Sequence, residues 1–154
     1  MKFTGEIAVK APRDKVFAAL RDARFFASCI DGVHDLNEVD PTHYTAMFET
    51  KVAYLKFKFN VTVELTRVAP PDQIEAKVEG VPLGVVGRLT ARSLTRLVES
   101  GDETKVQYES ESTLAGKLGS IGQPVLRAKA KQMEKEFASR LQAAFAPASG
   151  GQAT

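Results

Sequence analysis

From Val33 to Leu114 the sequence alternates apolar and polar residues with a period of two, and no helical repeat interrupts it. This run constrains the chain more than any other feature, because successive side chains of a strand point to opposite faces of a sheet. Strands are expected over 33–39, 43–52, 57–68, 73–80, 87–98 and 104–114, each bounded by turn residues. In the third of these, Phe57, Phe59, Val61, Val63 and Leu65 oppose Lys58, Asn60, Thr62 and Glu64. In the last, Val106, Tyr108, Ser110, Ser112 and Leu114 share the inner face. Alternation this clean belongs to an antiparallel sheet with one face wet. Residues 2–10 add a further strand, with Phe3, Ile7 and Val9 on one side.

A half-apolar sheet needs a cover, and the rest of the chain offers only one element long enough. Leu118, Ile121, Val125, Leu126, Met133, Phe137, Leu141 and Phe145 recur at three- and four-residue spacing, which predicts a helix over about 117–145. At 1.5 Å per residue it would run ~40 Å, enough to cross the sheet. Two shorter helices are expected after the first strand. "APRDKVFAAL" places Pro12 in a first turn ahead of Val16, Phe17 and Leu20, and "FFASCI" precedes the break at Asp31–Gly32. The expected fold class is α+β, in the order β-α-α-β-β-β-β-β-β-α: a curved antiparallel sheet of about seven strands around a long C-terminal helix. One domain is expected over 1–146, followed by a disordered polar tail over 147–154, where the residues are small and Gly-rich.

The bulk numbers exclude several classes. A chain of 154 residues fits one domain, and 26% charged with 44% hydrophobic residues is ordinary for a globular protein. No apolar run approaches the ~20 residues that span a bilayer. The N-terminus alternates instead of showing a leader's unbroken apolar stretch, so a cytoplasmic location is expected. Cys29 is the single cysteine, which excludes an internal disulfide and a multi-cysteine metal site. His34 and His43 have no acidic or cysteine partner at metal-ligand spacing and are expected to face solvent, so no metal is expected. The net charge of +2 does not argue for nucleic acid. Phe57 and Phe59 alternate inward from Lys58, so the basic hairpin 51–59 forms no stacking platform.

The turns differ at the two ends of such a meander. "VDPTH", "APPDQ" and "ESGDET" share one end and have ordinary turn chemistry. The opposite end gathers "VAYLKF", "GVPLGVVG", "CIDGV" and "AGKLGSIG", which are apolar and rich in glycine. Leu83 and Val85 in the 80–87 loop, with Tyr54 and Leu55, therefore read as the lip of an apolar pocket; the competing reading folds the loop inward as a plug. Inward positions Ala46, Ala76, Ala91, Ser93, Ser110 and Ser112 are small. A helix over such a floor leaves space for a ligand unless Phe48, Phe57, Phe59, Phe137 and Met133 fill it. Lys51, Lys56 and Lys58 beside the lip, with the basic residues of the last helix, suit an anionic membrane surface or an acidic partner.

The expected ligand-lining residues are Phe26, Ile30, Phe48, Val52, Phe57, Phe59, Val78, Leu83, Val85, Leu89, Tyr108, Ser110, Leu118, Ile121 and Val125. No catalytic residue is assigned. Glu49, Glu64, Glu109 and Glu111 fall on the wet face, and no inward histidine or carboxylate is found. Tyr108 is read as orienting a ligand carbonyl or as a core tyrosine bonded to backbone. Cys29 lacks a histidine beside it, as a nucleophile would need. Three functions stay open: a carrier of an apolar molecule, a small enzyme acting on an apolar or polycyclic substrate, and a ligand-free assembly adaptor.

"MKFTGEIAVKAPRDKVFAALRDARFFASCIDGV" resembles the opening of the CoxG family of carbon monoxide dehydrogenase subunits, a branch of the START-like, helix-grip (SRPBCC) superfamily. The matching positions are Met1, Lys2, Gly5, Val9, Ala11, Pro12, Val16, Phe17, Leu20, Asp22, Cys29, Ile30 and Gly32. "GKLGSIGQPVLRAKAKQMEKEF" is similar to the family's entry into its last helix. Asp31 stands where the family usually has proline. The resemblance implies a hydrophobic ligand under the long helix, an isoprenoid quinone or other lipid as cargo, and no cofactor of the protein's own. It also implies an accessory role toward a molybdenum hydroxylase, in maturation, membrane recruitment or electron-acceptor supply.

Overall fold

The computed structural model describes residues 1–146. The chain runs β1 (Lys2–Val9), α1 (Arg13–Arg21), α2 (Ala23–Ser28), β2 (Val33–Asp40), β3 (His43–Val52), β4 (Leu55–Ala69), β5 (Gln73–Pro82), β6 (Gly87–Ser100), β7 (Glu103–Gly116), a 3-10 turn (Lys117–Ile121) and α3 (Gln123–Ala144). The tail over 147–154 lies outside the described residues. The seven strands form one antiparallel sheet in the order β1-β7-β6-β5-β4-β3-β2. The chain therefore meanders from β2 to β7, and β1 returns to close the far edge against β7, with Ile7 opposite Val106. The expected fold class holds.

Two boundaries differ from expectation, each for a local reason. The last helix does not start at 117. Gly116 and Gly122 both have positive φ, at +69° and +101°, so the chain makes a 3-10 turn between them. Pro124 then occupies the first turn of α3, where no backbone N–H is needed. The 22 residues of α3 span about 33 Å, shorter than expected. The second short helix begins two residues early because Asp22 caps it, accepting from the Arg24 and Phe25 amides. Cys29 and Ile30 lie beyond its end.

The buried core sits at one end of the sheet. Ile7, Val9, Leu97, Val106 and Ile74 pack against Val16, Phe17 and Leu20 of α1 and Leu141 of α3, with Phe137, Ala138 and Phe145 beside them. Val9 pairs with Thr104 and Leu97 with Val106, which places this cluster beside the polar turns. The Thr104 hydroxyl, fully buried here, donates to the Ala11 carbonyl at 2.8 Å, so burial leaves it satisfied.

Candidate functional site

The registers assemble the rest of the inner face row by row. One row runs Phe3–Ser110–Ser93–Ala76–Leu65 across β1, β7, β6, β5 and β4. The next runs Ser112–Ala91–Val78–Val63–Tyr44, and the third Leu114–Leu89–Gly80–Val61–Ala46. The small residues of β5, β6 and β7, separated in the sequence, thus become neighbours. They are also unfilled. Ser110, Ser93, Ala76, Ser112, Ala91 and Val78 remain partly accessible although they face the helix side. α3 crosses this face, with close backbone approaches to β1 and β3 and a side-chain bond to its Glu134 from Tyr108 of β7.

Phe48, Phe57 and Phe59 form an aromatic ladder along β3 and β4, with ring centroids 6.1 Å apart for Phe48–Phe59 and 6.0 Å for Phe57–Phe59. Phe59 is buried, and a Cβ on Gly80 would lie 3.5 Å from its ring, so the ladder covers the Gly80 end of the third row. Phe137 and Met133, the other expected fillers, are engaged elsewhere. Phe137 stacks on Phe26 of α2 at 5.0 Å, and Met133 faces a separate opening beside the β3–β4 hairpin.

The 80–87 loop points outward. Leu83 is 48% exposed, Val85 39% and Val86 81%, while Pro82 is buried at the loop's root. Tyr54 and Leu55 at the β3–β4 tip are exposed at the same end. The plug reading of this loop is not what the fold adopts. Leu118 is the plug instead: it is buried in the 3-10 turn, against Gly87 at the start of β6. Ile121 is half-buried and Val125 exposed near the start of α3. Val52 is buried at the end of β3. Of the expected lining residues, Val78, Leu89 and Ser110 stand in the inner-face rows, the three phenylalanines stack along β3 and β4, and Leu83, Val85 and Val125 are exposed.

A cavity of about 270 Å³ opens between the end of α2, the β3–β4 hairpin and α3. Ile30 is the one expected lining residue in it. Its other walls include Cys29, Thr50, Met133 and the charged groups Lys51, Lys56 and Lys129. The lysines of the hairpin and of the helix, far apart in sequence, meet at this opening, interleaved with Asp31, Glu49 and Glu136. Burial pushes the Cys29 thiol up, against the smaller opposing influence of Ser28 and Arg140, which is the environment of an unreactive thiol.

Two corrections concern titratable groups. The expectation of no inward carboxylate fails at Glu134. It follows Ala130 and precedes Phe137 and Leu141 at three- and four-residue spacing on α3, and accepts from the Tyr108 hydroxyl at 2.5 Å. Tyr108 therefore bonds a carboxylate and not backbone. Desolvation first, and then Glu134, push its phenol up to about 12. The spacing of Glu134 from Leu141, seven residues, marked it in the sequence as an occupant of the apolar stripe. The histidines are exposed as expected, but each has acidic partners supplied by strand pairing. His34 meets Glu49 at 2.5 Å and Asp35 at 3.1 Å, and His43 meets Asp40 at 2.9 Å. Among the described residues no group of three or more histidine, cysteine or acidic residues is placed to hold a metal ion.

Comparison with known proteins agrees with the fold. The model of the CoxG family of carbon monoxide dehydrogenase subunits matches residues 5–146. Among solved structures, a conserved protein from Geobacillus kaustophilus is 25% identical, with 94% of this chain and 95% of that one covered and a TM-score of 0.85. A START superfamily protein from Mycobacterium smegmatis is 11% identical, with coverage of 94% and 96% and a TM-score of 0.70. A protein from Chromobacterium violaceum is 14% identical, with coverage of 95% and 97% and the same TM-score. No curated protein matches the chain.

Proposed function

The chain belongs to the CoxG family of carbon monoxide dehydrogenase subunits, and from that premise we propose that it is a non-enzymatic accessory protein carrying a hydrophobic small molecule in a trough under α3. The cargo is an isoprenoid quinone or another lipid. The protein supports a CO-dehydrogenase-type molybdenum hydroxylase by supplying an electron acceptor, by recruitment to the membrane or in maturation. The observation that carries this reading is the partly accessible floor of Ser110, Ser93, Ala76, Ser112 and Ala91 on the sheet face that α3 crosses. Interiors are normally packed to crystal-like density, so a floor of this kind under a helix is a place for a guest.

Leu83 and Val85 form the rim over which cargo enters, and Lys51, Lys56 and Lys129 line the adjoining mouth. Apolar groups beside lysines fit an anionic lipid surface, with peripheral contact at the inner face of the membrane during transfer. Among the described residues no helix is long and apolar enough to cross a membrane.

Native mass spectrometry of the purified protein, followed by solvent extraction, tests the proposal. A co-purifying quinone or lipid supports it and names the cargo. A protein that arrives empty and takes up no added quinone or lipid sinks it, and leaves docking to a partner protein through the apolar end as the reading to pursue.

A further inference from the structure

We propose that Glu134 and Tyr108 form the trough's polar handle, and that it selects a guest whose head carries a hydroxyl (an alcohol, phenol or hydroquinone) over one that offers only a carbonyl or ether oxygen. This rests on the carrier reading and narrows its cargo to a hydroxylated lipid or the reduced, hydroquinone form of a quinone, which the protein would take away from its partner or hold during recruitment or maturation.

The pair sits where the trough meets β1. Gly5 lies opposite Tyr108 in the β1–β7 register, and a Cβ at Gly5 would collide with the phenol, so the ring lies across a gap in β1. Its hydroxyl reaches Glu134 on α3, and the two are only part-buried. On the same face Thr95 stands opposite Tyr108, and the row of Ser110 and Ser93 begins one step further along β7 and β6. A guest lying on the small-residue floor therefore has this pair beside its end.

The selectivity follows from counting donors. A tyrosine has one O–H to give, and a carboxylate only accepts. In the empty protein the one satisfies the other. A carbonyl head can bond Tyr108 only by taking its proton away from Glu134, which leaves a part-buried carboxylate without its donor. An ether head does no better. A hydroxyl inserts without loss: its oxygen accepts from Tyr108 and its proton goes to Glu134, a charge-assisted bond of the stronger kind. Sites built around such groups reject analogues that cannot complete the pattern.

Calorimetric titration with three matched compounds tests this: 2-methyl-1-naphthol, its methyl ether and 2-methyl-1,4-naphthoquinone. The native protein is expected to bind the naphthol about tenfold more tightly than either other compound, the effect of one hydrogen bond to a charged group. Glu134→Met removes the acceptor and is expected to abolish that preference, since the freed Tyr108 hydroxyl then serves a carbonyl equally well. Tyr108→Phe leaves Glu134 without a donor and is expected to keep the preference. A pair that merely struts α3 against the sheet would give equal affinities in the native protein, or a preference that survives Glu134→Met, and either result overturns the proposal. Comparison of the compounds on native protein decides the matter even where a variant folds poorly. Failure of all three to bind would instead overturn the carrier reading on which the handle depends.

Discussion

Leu118 rests on the backbone of Gly87: a Cβ built on that glycine would lie 3.2 Å from Leu118 Cγ and 2.8 Å from the Ala115 carbonyl oxygen. The 3-10 turn is thereby pinned to the root of the β5–β6 tip, and the Lys117 amide adds a 2.9 Å bond to the Val86 carbonyl. This contact anchors the turn from which α3 begins. Gly87→Ala should cost about 1–3 kcal/mol by overpacking. Chemical denaturation would show it, and an unchanged midpoint would mean that the turn floats free of the tip.

Filling the trough should separate an open floor from a packed one. Ser93→Leu places a branched side chain in the middle of the small-residue rows. The expected outcome is at least a tenfold loss of apolar-ligand affinity, with unfolding free energy held within about 0.5 kcal/mol, whereas a filled interior would lose about 1–3 kcal/mol to the same change. Thermal melts and ligand titration on one sample read both quantities.

The rim should matter for loading and not for folding. Leu83→Asp and Val85→Asp change half-exposed side chains, so their melting temperatures should stay within a few degrees of the native value. Uptake of lipid from vesicles should fall sharply in both. Normal uptake by the double variant would remove the loop from the entry route.

Alkaline titration should single out Tyr108. Its phenol is pushed from the ordinary 10 to about 12, so the unfolded chain loses that proton first as pH rises. Tyr108 contributes its full share to stability below pH 10, and that share disappears between 10 and 12. Phenolate absorbance should lose its component near 12 in Tyr108→Phe, while Tyr44, whose phenol burial also pushes up, still titrates late, and the variant should lose less stability over this window. Coincident titration of all three tyrosines near 10 would contradict its burial against α3.

The polar end carries a pH-sensitive pair of the opposite kind. The hydrogen bond from His43, and then the Thr42 amide, hold Asp40 at about 2, while Asp40 in turn raises His43 above its ordinary 6.5. The carboxylate's stabilising effect is present above its ordinary 3.8 and is lost as pH falls toward 2. The histidine's is complete below 6.5 and is lost as pH rises through its elevated value. Both operate between these limits. NMR titration of His43 should return to the ordinary value in Asp40→Asn, and no change there would exclude the bond in solution.

Much of this molecule could be read along the chain. The period of two in 43–52, 57–68 and 104–114 specified strands, because alternate side chains must face core or water. The turn residues at 39–43, 69–73 and 99–104 marked one end as polar, and the meander follows from strands joined by short connections. Even the small inner residues Ser93, Ser110 and Ala91 were visible as a set. What the sequence left open was whether Phe48, Phe57 and Phe59 fill the space above them. Residue volumes are carried by the sequence, but the distance of a helix from a sheet is not.

The outward set of the 80–87 loop, the meeting of Lys51, Lys56 and Lys129 at one mouth, and the bond from Tyr108 to Glu134 were decided only in three dimensions. Each depends on where α3 starts and how it is rotated, and that is settled by Gly116 and Gly122 turning the chain and Leu118 locking against Gly87. The alternation of the strands is a local property, repeated every two residues and fixed by backbone geometry. The site is a long-range property: Tyr108 and Glu134 are 26 residues apart, on elements of different period, and only packing brings a strand's inward tyrosine to a helix's inward carboxylate.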